Sequence, residues 1–586
     1  MRLFNPASFL FIILALAACG GGGDGSDSGS GGGGNTNGGG GSEGDTGGST
    51  VPEISSVSPE ASATDVPRDS VILAHFNKDI LASTINSSSF MLTNTESVSG
   101  SVSFDGSTNT ASFTPEGKLP MLTPHTATLS TAITDLEGNA LASDFNWSFT
   151  TADGQWQNIG LIETNDAGHA TAPRVSVDRN GNAIAVWAEP DSPSSGYFVW
   201  ASRYDMASGS WTTPIKLDVT TKGSNAIPSI DMGMDNEGNA IVAWNQTDGL
   251  SDYGTLLPDS IWSRRYTVDS GWLSAEKIDN SDTFEAVNPR IAMNSNGIAL
   301  VVWSQKDETD YQSSIWFNRY APGSGWNGAM LIENSSEYAV NPRIAMDPNG
   351  NAIAIWQQRT DALRMNLWAN RYEAGTGWDS ASLIENDDRG DVRNHQIAVG
   401  SNGQAIAIWQ QSDATRFNIR VNHHDANGWS GASNIETGDG DTAAPQIALD
   451  ISGNAIAVWS QYEGTNSYIW INRYGLSAPV DNGRKWGTAN KIESNAGNAI
   501  APQITIDNNG NALTIWHKVS GPTDGIWVSR FTANIGWGNP RQIKNEDAGS
   551  VGEPQIATAS NSIAAQAVWK QYDSAMIYQI VSKRLE

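Results

Sequence analysis

The chain has 586 residues, too many for one ordinary domain, so several domains or a repeat array must organise it. It carries 63 acidic against 34 basic residues, a formal net charge of −29. That balance excludes nucleic acid as a partner and excludes electrostatic adhesion to anionic lipid, because both need basic surface.

At the N-terminus Arg2 precedes an almost unbroken apolar run from Phe9 to Ala18, followed by the only cysteine, Cys19. The run is too short for a membrane-spanning helix and reads as an export signal over residues 1–18. With no second thiol there is no disulfide framework, so apolar packing has to hold the fold. The quartet Leu16-Ala17-Ala18-Cys19 resembles the lipobox of bacterial lipoproteins. The resemblance implies diacylglycerol on the Cys19 sulfur, cleavage before it, acylation of the new amino group and hence membrane anchoring through lipidated Cys19. Gly20, where aspartate would signal inner-membrane retention, points to the outer membrane, facing periplasm or exterior. Residues 19–50 are nearly all Gly, Ser, Asp, Asn and Thr, a composition that stays disordered and makes a tether spanning about 30 Å.

Residues 51–153 show short alternating segments such as Val71-Ile-Leu-Ala-His-Phe76 and Thr110-Ala-Ser-Phe113, separated by turn residues. Period-two patterning at this spacing predicts a β-sandwich. Val57-Ser-Pro59, Ala63-Thr-Asp-Val-Pro67, Ile133-Thr-Asp-Leu-Glu-Gly-Asn-Ala-Leu141 and Trp147-Ser-Phe-Thr-Thr151 resemble the bacterial Ig-like module of surface-layer and secreted proteins. The resemblance implies a spacer and carries no catalytic residues.

From residue 154 to 586 a unit repeats, in its clearest form Asn341-Pro-Arg-Ile-Ala-Met-Asp-Pro-Asn-Gly-Asn-Ala-Ile-Ala-Ile-Trp356, then Leu367-Trp-Ala-Asn-Arg-Tyr372, then Gly377-Trp-Asp-Ser-Ala-Ser-Leu-Ile-Glu385. Its first tryptophan recurs at Trp187, Trp244, Trp303, Trp356, Trp409, Trp459, Trp516 and Trp569, at intervals of 50 to 59 residues. Four alternating segments per unit and large flat side chains at fixed positions predict an eight-bladed β-propeller, with seven blades as the alternative. The last unit lacks its fourth strand, and an unpaired copy, Gln155-Trp-Gln-Asn-Ile-Gly-Leu-Ile-Glu163, precedes the first. That copy is expected to close the ring, with Pro-x-Ile-Ala innermost.

The turn Asp178-Arg-Asn-Gly-Asn182 and its copies look like the start of a calcium loop, but the required bidentate carboxylate is absent and Asn294, Gly400 and Ala559 replace the aspartate in three units. A hairpin turn is the expected role, with no metal and no cofactor. The same turns resemble the Asp boxes of sialidases only weakly, since Asp178 and Trp187 stand nine residues apart. The arginines Arg203, Arg265, Arg319, Arg371, Arg473 and Arg530 recur once per unit, which favours structural pairing over one assembled site. The fifth unit diverges most: Asp387-Asp-Arg-Gly-Asp391, His395, and Ile419-Arg-Val-Asn-His-His-Asp-Ala-Asn-Gly-Trp-Ser-Gly431, where Arg420 takes a tryptophan position. This last segment resembles one blade of fucose-binding propeller lectins. His423 and His424 are expected to face opposite ways and not to share a metal. Glu163, Asp218, Asp279, Glu333, Glu385, Glu436 and Glu493 end the outer strand of seven units and are expected to form a solvated acidic rim.

These features predict a monomeric, non-enzymatic binding or interaction scaffold with no catalytic residues and a glycan or protein ligand. The alternatives are a lectin-like propeller, which calls for exposed tryptophans around Arg420 and its counterparts, and a sialidase-like glycan hydrolase, which calls for single-copy carboxylates converging on one face.

Overall fold

The computed structural model describes residues 51–586 except 95–96, 165–166, 219–222, 250–256, 282, 307–311, 334, 361–363, 388, 476–484, 494–496, 520–523, 534, 545–548 and 561–563. The expected signal, Cys19 and the Gly-rich linker lie outside the described residues. No helix among the described residues is long and apolar enough to cross a membrane.

Alternation in Ile72–Phe76 and Phe145–Thr150 turns one face of each strand inward. Two antiparallel sheets follow. One runs Ile54–Ser58, Ile72–Phe76, Thr110–Pro115, Gly100–Asp105, and the other Phe90–Thr93, Pro124–Leu129, Phe145–Thr150. They enclose a sandwich core in which the Phe90 ring lies 5.9 Å from Phe113 and 6.1 Å from Trp147.

Each repeat unit becomes one antiparallel sheet, and eight such sheets follow among the described residues. In the fourth, Ala339–Met346 pairs with Ala352–Arg359, which pairs with Met365–Glu373, which carries the short outer pieces Gly377–Trp378 and Ser382–Leu383. The second strand of each unit is a run of Ala, Ile, Val and Trp buried on both faces, because neighbouring sheets cover it on either side. The inner strands neighbour one another in cyclic order, and Val551–Thr558 of the eighth sheet packs beside Thr171–Val177 of the first. The array is a closed β-propeller. The eighth sheet takes its outer strand from the front of the repeat region: Gly160–Leu161 pairs with Ser582 and Val581, and Gln155 and Glu586 exchange backbone hydrogen bonds of 2.7 and 3.1 Å.

The repeated residues are the joints between sheets. The first tryptophan of each unit is fully buried, and in seven units its Nε1–H donates to the side-chain oxygen two residues on, as from Trp356 to Gln358 Oε1 at 2.7 Å. In the seventh unit the residue two on is Lys518, which forms a buried ion pair with Glu493 at 2.6 Å instead. Asn318, Asn370, Asn422 and Asn472 each donate across to the backbone carbonyl of the preceding sheet at 2.7–2.9 Å. The recurrent arginines do pair structurally: Arg203 lies over Tyr266, Arg265 over Tyr320, Arg473 over Phe531 and, closing the circle, Arg584 over Tyr204.

The sandwich is seated on the propeller face that carries the Asp-x-Asn-Gly-Asn turns. Met121 is buried in one cluster with Leu513, Ile515, Val528 and Leu585, Arg530 forms an ion pair with Asp153, and the Asn509–Asn511 turn lines a cavity with Leu122 and Thr123. The junction is tight enough to require glycine at 154, where a Cβ would meet the Met121 sulfur at 2.2 Å and the Glu586 carbonyl at 2.7 Å.

Candidate functional site

The turn aspartates are occupied as hydrogen-bond acceptors. Asp178 Oδ1 accepts from the backbone N–H of Asn180 and Asn182 at 2.8 and 2.9 Å, and Oδ2 from Asn182 Nδ2 at 2.7 Å; Asp235, Asp450 and Asp507 repeat this. N–H donors aimed at both oxygens are the opposite of a cation site. The turn asparagines then tie this turn to the next, as where Met206 N donates to Asn182 Oδ1 at 2.9 Å.

The acidic residues ending the outer strands do not form a solvated rim, and that expectation is corrected here. Asp279 and Glu436 have side chains 0% and 1% exposed, and Glu163, Asp218, Glu333, Glu385 and Glu493 are buried too. In most sheets the last piece of the outer strand pairs for only two residues before the chain passes to the next inner strand, and the carboxylate takes the next place on the third strand; in the second sheet the outer strand is continuous over Gly271–Lys277 and Asp279 does the same beyond it. It accepts from Val199 N at 2.6 Å (Asp218), Ile261 N at 2.8 Å (Asp279), Ile315 N at 3.2 Å (Glu333) and Ile419 N at 3.2 Å (Glu436). Burial pushes the carboxyl of Asp218 up to about 7 and that of Asp279 to about 6.

The divergent fifth unit pairs its charged groups with one another. Arg420 Nη1 donates to Asp387 Oδ2 at 2.8 Å and Nη2 to Asn386 Oδ1 at 2.7 Å, while Arg389 grips the same carboxylate at 2.8 and 2.6 Å. The Arg389 hydrogen bonds, with both guanidinium charges, hold Asp387 down at about 2. His423 takes the place other units give to the stacking arginine, 4.3 Å from the Tyr474 ring, and its Nε2 accepts from Trp486 Nε1 at 2.9 Å. His424 replaces the tyrosine, edge-on to Trp429 at 5.2 Å. The two histidines therefore have separate packing roles. None of the tryptophans is exposed: those at Arg420's counterparts, Trp200, Trp262, Trp316, Trp368, Trp470 and Trp527, are half-buried.

What no repeated joint accounts for is the central channel, a cavity of about 510 Å³ lined by the inner strands of all eight sheets. One residue per sheet faces it from the same register position, directly after the proline of Pro-x-Ile in most units. The first four sheets contribute Arg174, Asp231, Arg290 and Arg343, and the last four Gln396, Gln446, Gln503 and Gln555. The lining is thus cationic on one arc and amide on the other. Each guanidinium Nη1 donates to the carbonyl of its own preceding proline, at 2.8, 2.8 and 3.1 Å, which fixes the fork. Among the described residues no carboxylate lies within 4 Å of any of the three; Asp231 Oδ2 instead accepts from Ile291 N at 3.0 Å. Burial, with the neighbouring Arg290 charge, lowers the Arg343 guanidinium to about 9, still a cation at neutral pH.

The mouth of the channel is built with strain and amide bonds. In seven units the inner strand bulges just before the register position, and Ala172, Asn288, Asn341, Asn394, Ala444, Ala501 and Glu553 adopt φ of 50–56°. Asparagine tolerates this conformation, whereas alanine and glutamate in it cost roughly 1–2 kcal/mol each. Strain of this kind collects at functional sites. On the arginine side an amide chain fixes the mouth: Ser229 Oγ donates to Asn288, Asn288 to Asn341, and Asn341 to Gln357, which donates to the Val392 carbonyl. Behind it His395, which stands where other units have proline, is buried and donates from Nε2 to the Asn341 carbonyl at 2.7 Å. Burial and the Arg343 charge lower its imidazole to about 3, so it adds no cation.

A larger cleft of about 930 Å³ opens on the turn face between the fourth and fifth sheets, lined by Asp347, Arg371, Asp379 and His424. Its charged groups are already engaged, Asp347 by Asn351 and Arg371 by Glu373 and Asp379. The channel residues occupy one position per unit and coincide neither with the breaks in pattern nor with the divergence of the fifth unit. The signal was present, as the switch from Pro-Arg to Pro-Gln between units.

Residues 48–151 match the bacterial Ig-like domain family, in agreement with the likeness carried by Val57–Pro59 and Trp147–Thr151. No curated protein matches the sequence. Similar solved structures include the β-propeller domain of the Trilobed protease from Pyrococcus furiosus (9% identity, 66% of this chain and 98% of that one, TM-score 0.37). They also include the BP39L lectin from Burkholderia pseudomallei (11% identity, 60% and 94%, TM-score 0.40) and a protein of unknown function from Dyadobacter fermentans (13% identity, 53% and 96%, TM-score 0.35).

Proposed function

We propose that this is a lipid-anchored, non-catalytic binding protein of the cell envelope, in which the propeller's central channel seats the ligand and the Ig-like domain acts as a spacer. One observation carries the reading: three arginines from separate sheets converge on one cavity without an ion-pair partner there, in a chain whose net charge is −29. Clustered cations that only Asp231 offsets oppose folding, so the retention of three favours a ligand role over a stabilising one. The cavity lies within the roughly 300–1,000 Å³ typical of small-ligand sites. The sandwich occupies the turn face, which leaves the bulged mouth clear of it. Glycoside hydrolysis needs a pair of carboxyl groups across the substrate, and Asp231 is the one carboxylate among the described channel-lining residues. The eight sheets are read as eight blades.

The test is a glycan-array and hydrolysis screen on the full chain purified in detergent. Saturable binding without turnover, abolished by Gln503→Trp, supports the reading, whereas turnover replaces it with an enzyme. Anchoring is tested by Cys19→Ser, which should move the protein from the membrane to the soluble fraction.

A further inference from the structure

Resting on the channel as the binding site, we propose that its ligand is a small hydroxylated organic anion with two acidic groups, such as an acidic disaccharide, lying across the ring with its acids on the arginine arc and its hydroxyls on the glutamine arc. The charge pattern sets the first half of this. Arg290 and Arg343 stand on adjacent inner strands, and Arg174 stands two strands from Arg290 with Asp231 between them. Three cations against one carboxylate leave this arc with a surplus of two positive charges, placed as a pair and a single. Two separated oxyanions match that spacing better than one does.

Guanidinium geometry sets the chemistry of the groups. With one Nη held by the proline carbonyl, each fork keeps further N–H donors in the fixed planar arrangement that pairs with carboxylate or sulfate oxygens. Burial lowers both Arg290 and Arg343; Asp231 opposes this at each, while Arg174 adds to it at Arg290 and Arg290 and Arg174 add to it at Arg343, so a bound oxyanion stabilises the charged forms that burial disfavours. The opposite arc supplies the second half. Gln446, Gln503 and Gln555 present amides that both donate and accept, the partners that hydroxyls need and that a purely apolar or purely ionic ligand would leave unused. A neutral sugar would satisfy this arc and leave the arginines uncompensated.

The experiment is calorimetric titration and thermal shift on the full chain in detergent. The probes are digalacturonate, a disulfated galactobiose, neutral galactobiose and inorganic sulfate. The variants are Arg290→Gln, Arg343→Gln and the channel-filling Gln503→Trp. The expected result is saturable binding of at least one acidic disaccharide, at least about tenfold tighter than galactobiose or sulfate. Which of the two binds tells carboxylate from sulfate. Each arginine variant should weaken that binding about tenfold while raising the melting temperature of the ligand-free protein, a rise that a merely structural arginine would not give. Equal binding of galactobiose and digalacturonate that Gln503→Trp abolishes would overturn the anionic ligand and keep the channel site. Acid binding that survives Gln503→Trp would overturn both. Binding of neither acidic disaccharide at millimolar concentration overturns the anionic ligand.

Discussion

Asp218 is a carboxylic acid held where water cannot stabilise its charge, with one backbone N–H, that of Val199, as its support. In an unfolded chain an aspartate ionises near pH 4, whereas burial keeps this one protonated to about 7. Between those values the folded state binds the extra proton, so the contribution of Asp218 is fully present below about pH 4 and is lost as pH rises toward 7. Asp218→Asn removes the titration and keeps an oxygen for the Val199 amide. Urea denaturation should therefore find the two proteins closely matched below about pH 4 and the variant more stable at pH 8, by no more than about 4 kcal/mol. A parallel pH dependence for both would show that Asp218 ionises normally. The tryptophan joints make a second residue-level case. Trp356 donates to Gln358 in a dry interface, so Gln358→Ala leaves a buried N–H without an acceptor and should cost about 1–3 kcal/mol, read as a lower denaturation midpoint at unchanged m-value.

Among the elements, the strand at Gly160–Leu161 is the one whose loss has consequences furthest along the chain, because it joins residues about 420 positions apart in one sheet. Ile162 is buried beside Ile580, to whose carbonyl its N–H donates at 3.0 Å. Ile162→Pro removes that donor and should free the edge of the third strand of the eighth sheet. The expected outcome is fast amide exchange across Tyr578–Leu585 and concentration-dependent association through the exposed edge; protection equal to that of the unaltered protein would show that the clasp does not hold the sheet. The missing strand in the last unit and its spare copy at the front were both legible in the sequence, as were the strand pattern, the turn chemistry and the repeated tryptophans, since all of these are local and periodic. The burial of the acids escapes the sequence because the point where an outer strand stops pairing has no local signature; Ile-Glu reads the same whether the chain goes on outward or turns toward the axis. The arginine arc was visible only as letters after proline. That Arg174, Arg290 and Arg343 share one cavity depends on ring closure, which brings residues up to 169 apart in sequence around one axis.

At the scale of the molecule, the sandwich and propeller form one compact unit over Val51–Glu586. Their joint combines an apolar plug with a charged latch. Met121 is 1% exposed within the cluster formed by the seventh and eighth sheets, and Arg530, packed against its sulfur at 3.4 Å, pairs with Asp153. Burial lowers the Arg530 guanidinium to about 10, while the Asp153 side chain stays 40% exposed, so the latch is withdrawn from water on its arginine side. Such a joint does not behave like a flexible linker: it sets the direction in which the channel mouth points relative to the Ig-like domain. Met121→Glu places a carboxylate in the apolar cluster, where it cannot remain charged without losing its hydration. The two domains should then separate while each keeps its own core, since the sandwich is built around Phe90, Phe113, Trp147 and Phe149 and owes nothing to Met121. Small-angle scattering should show a larger radius of gyration, and proteolysis should cut near Asp153-Gly154, with ligand binding in the channel retained. An unchanged radius would mean that the latch alone holds the seat, and adding Arg530→Ala to the same protein should then release it.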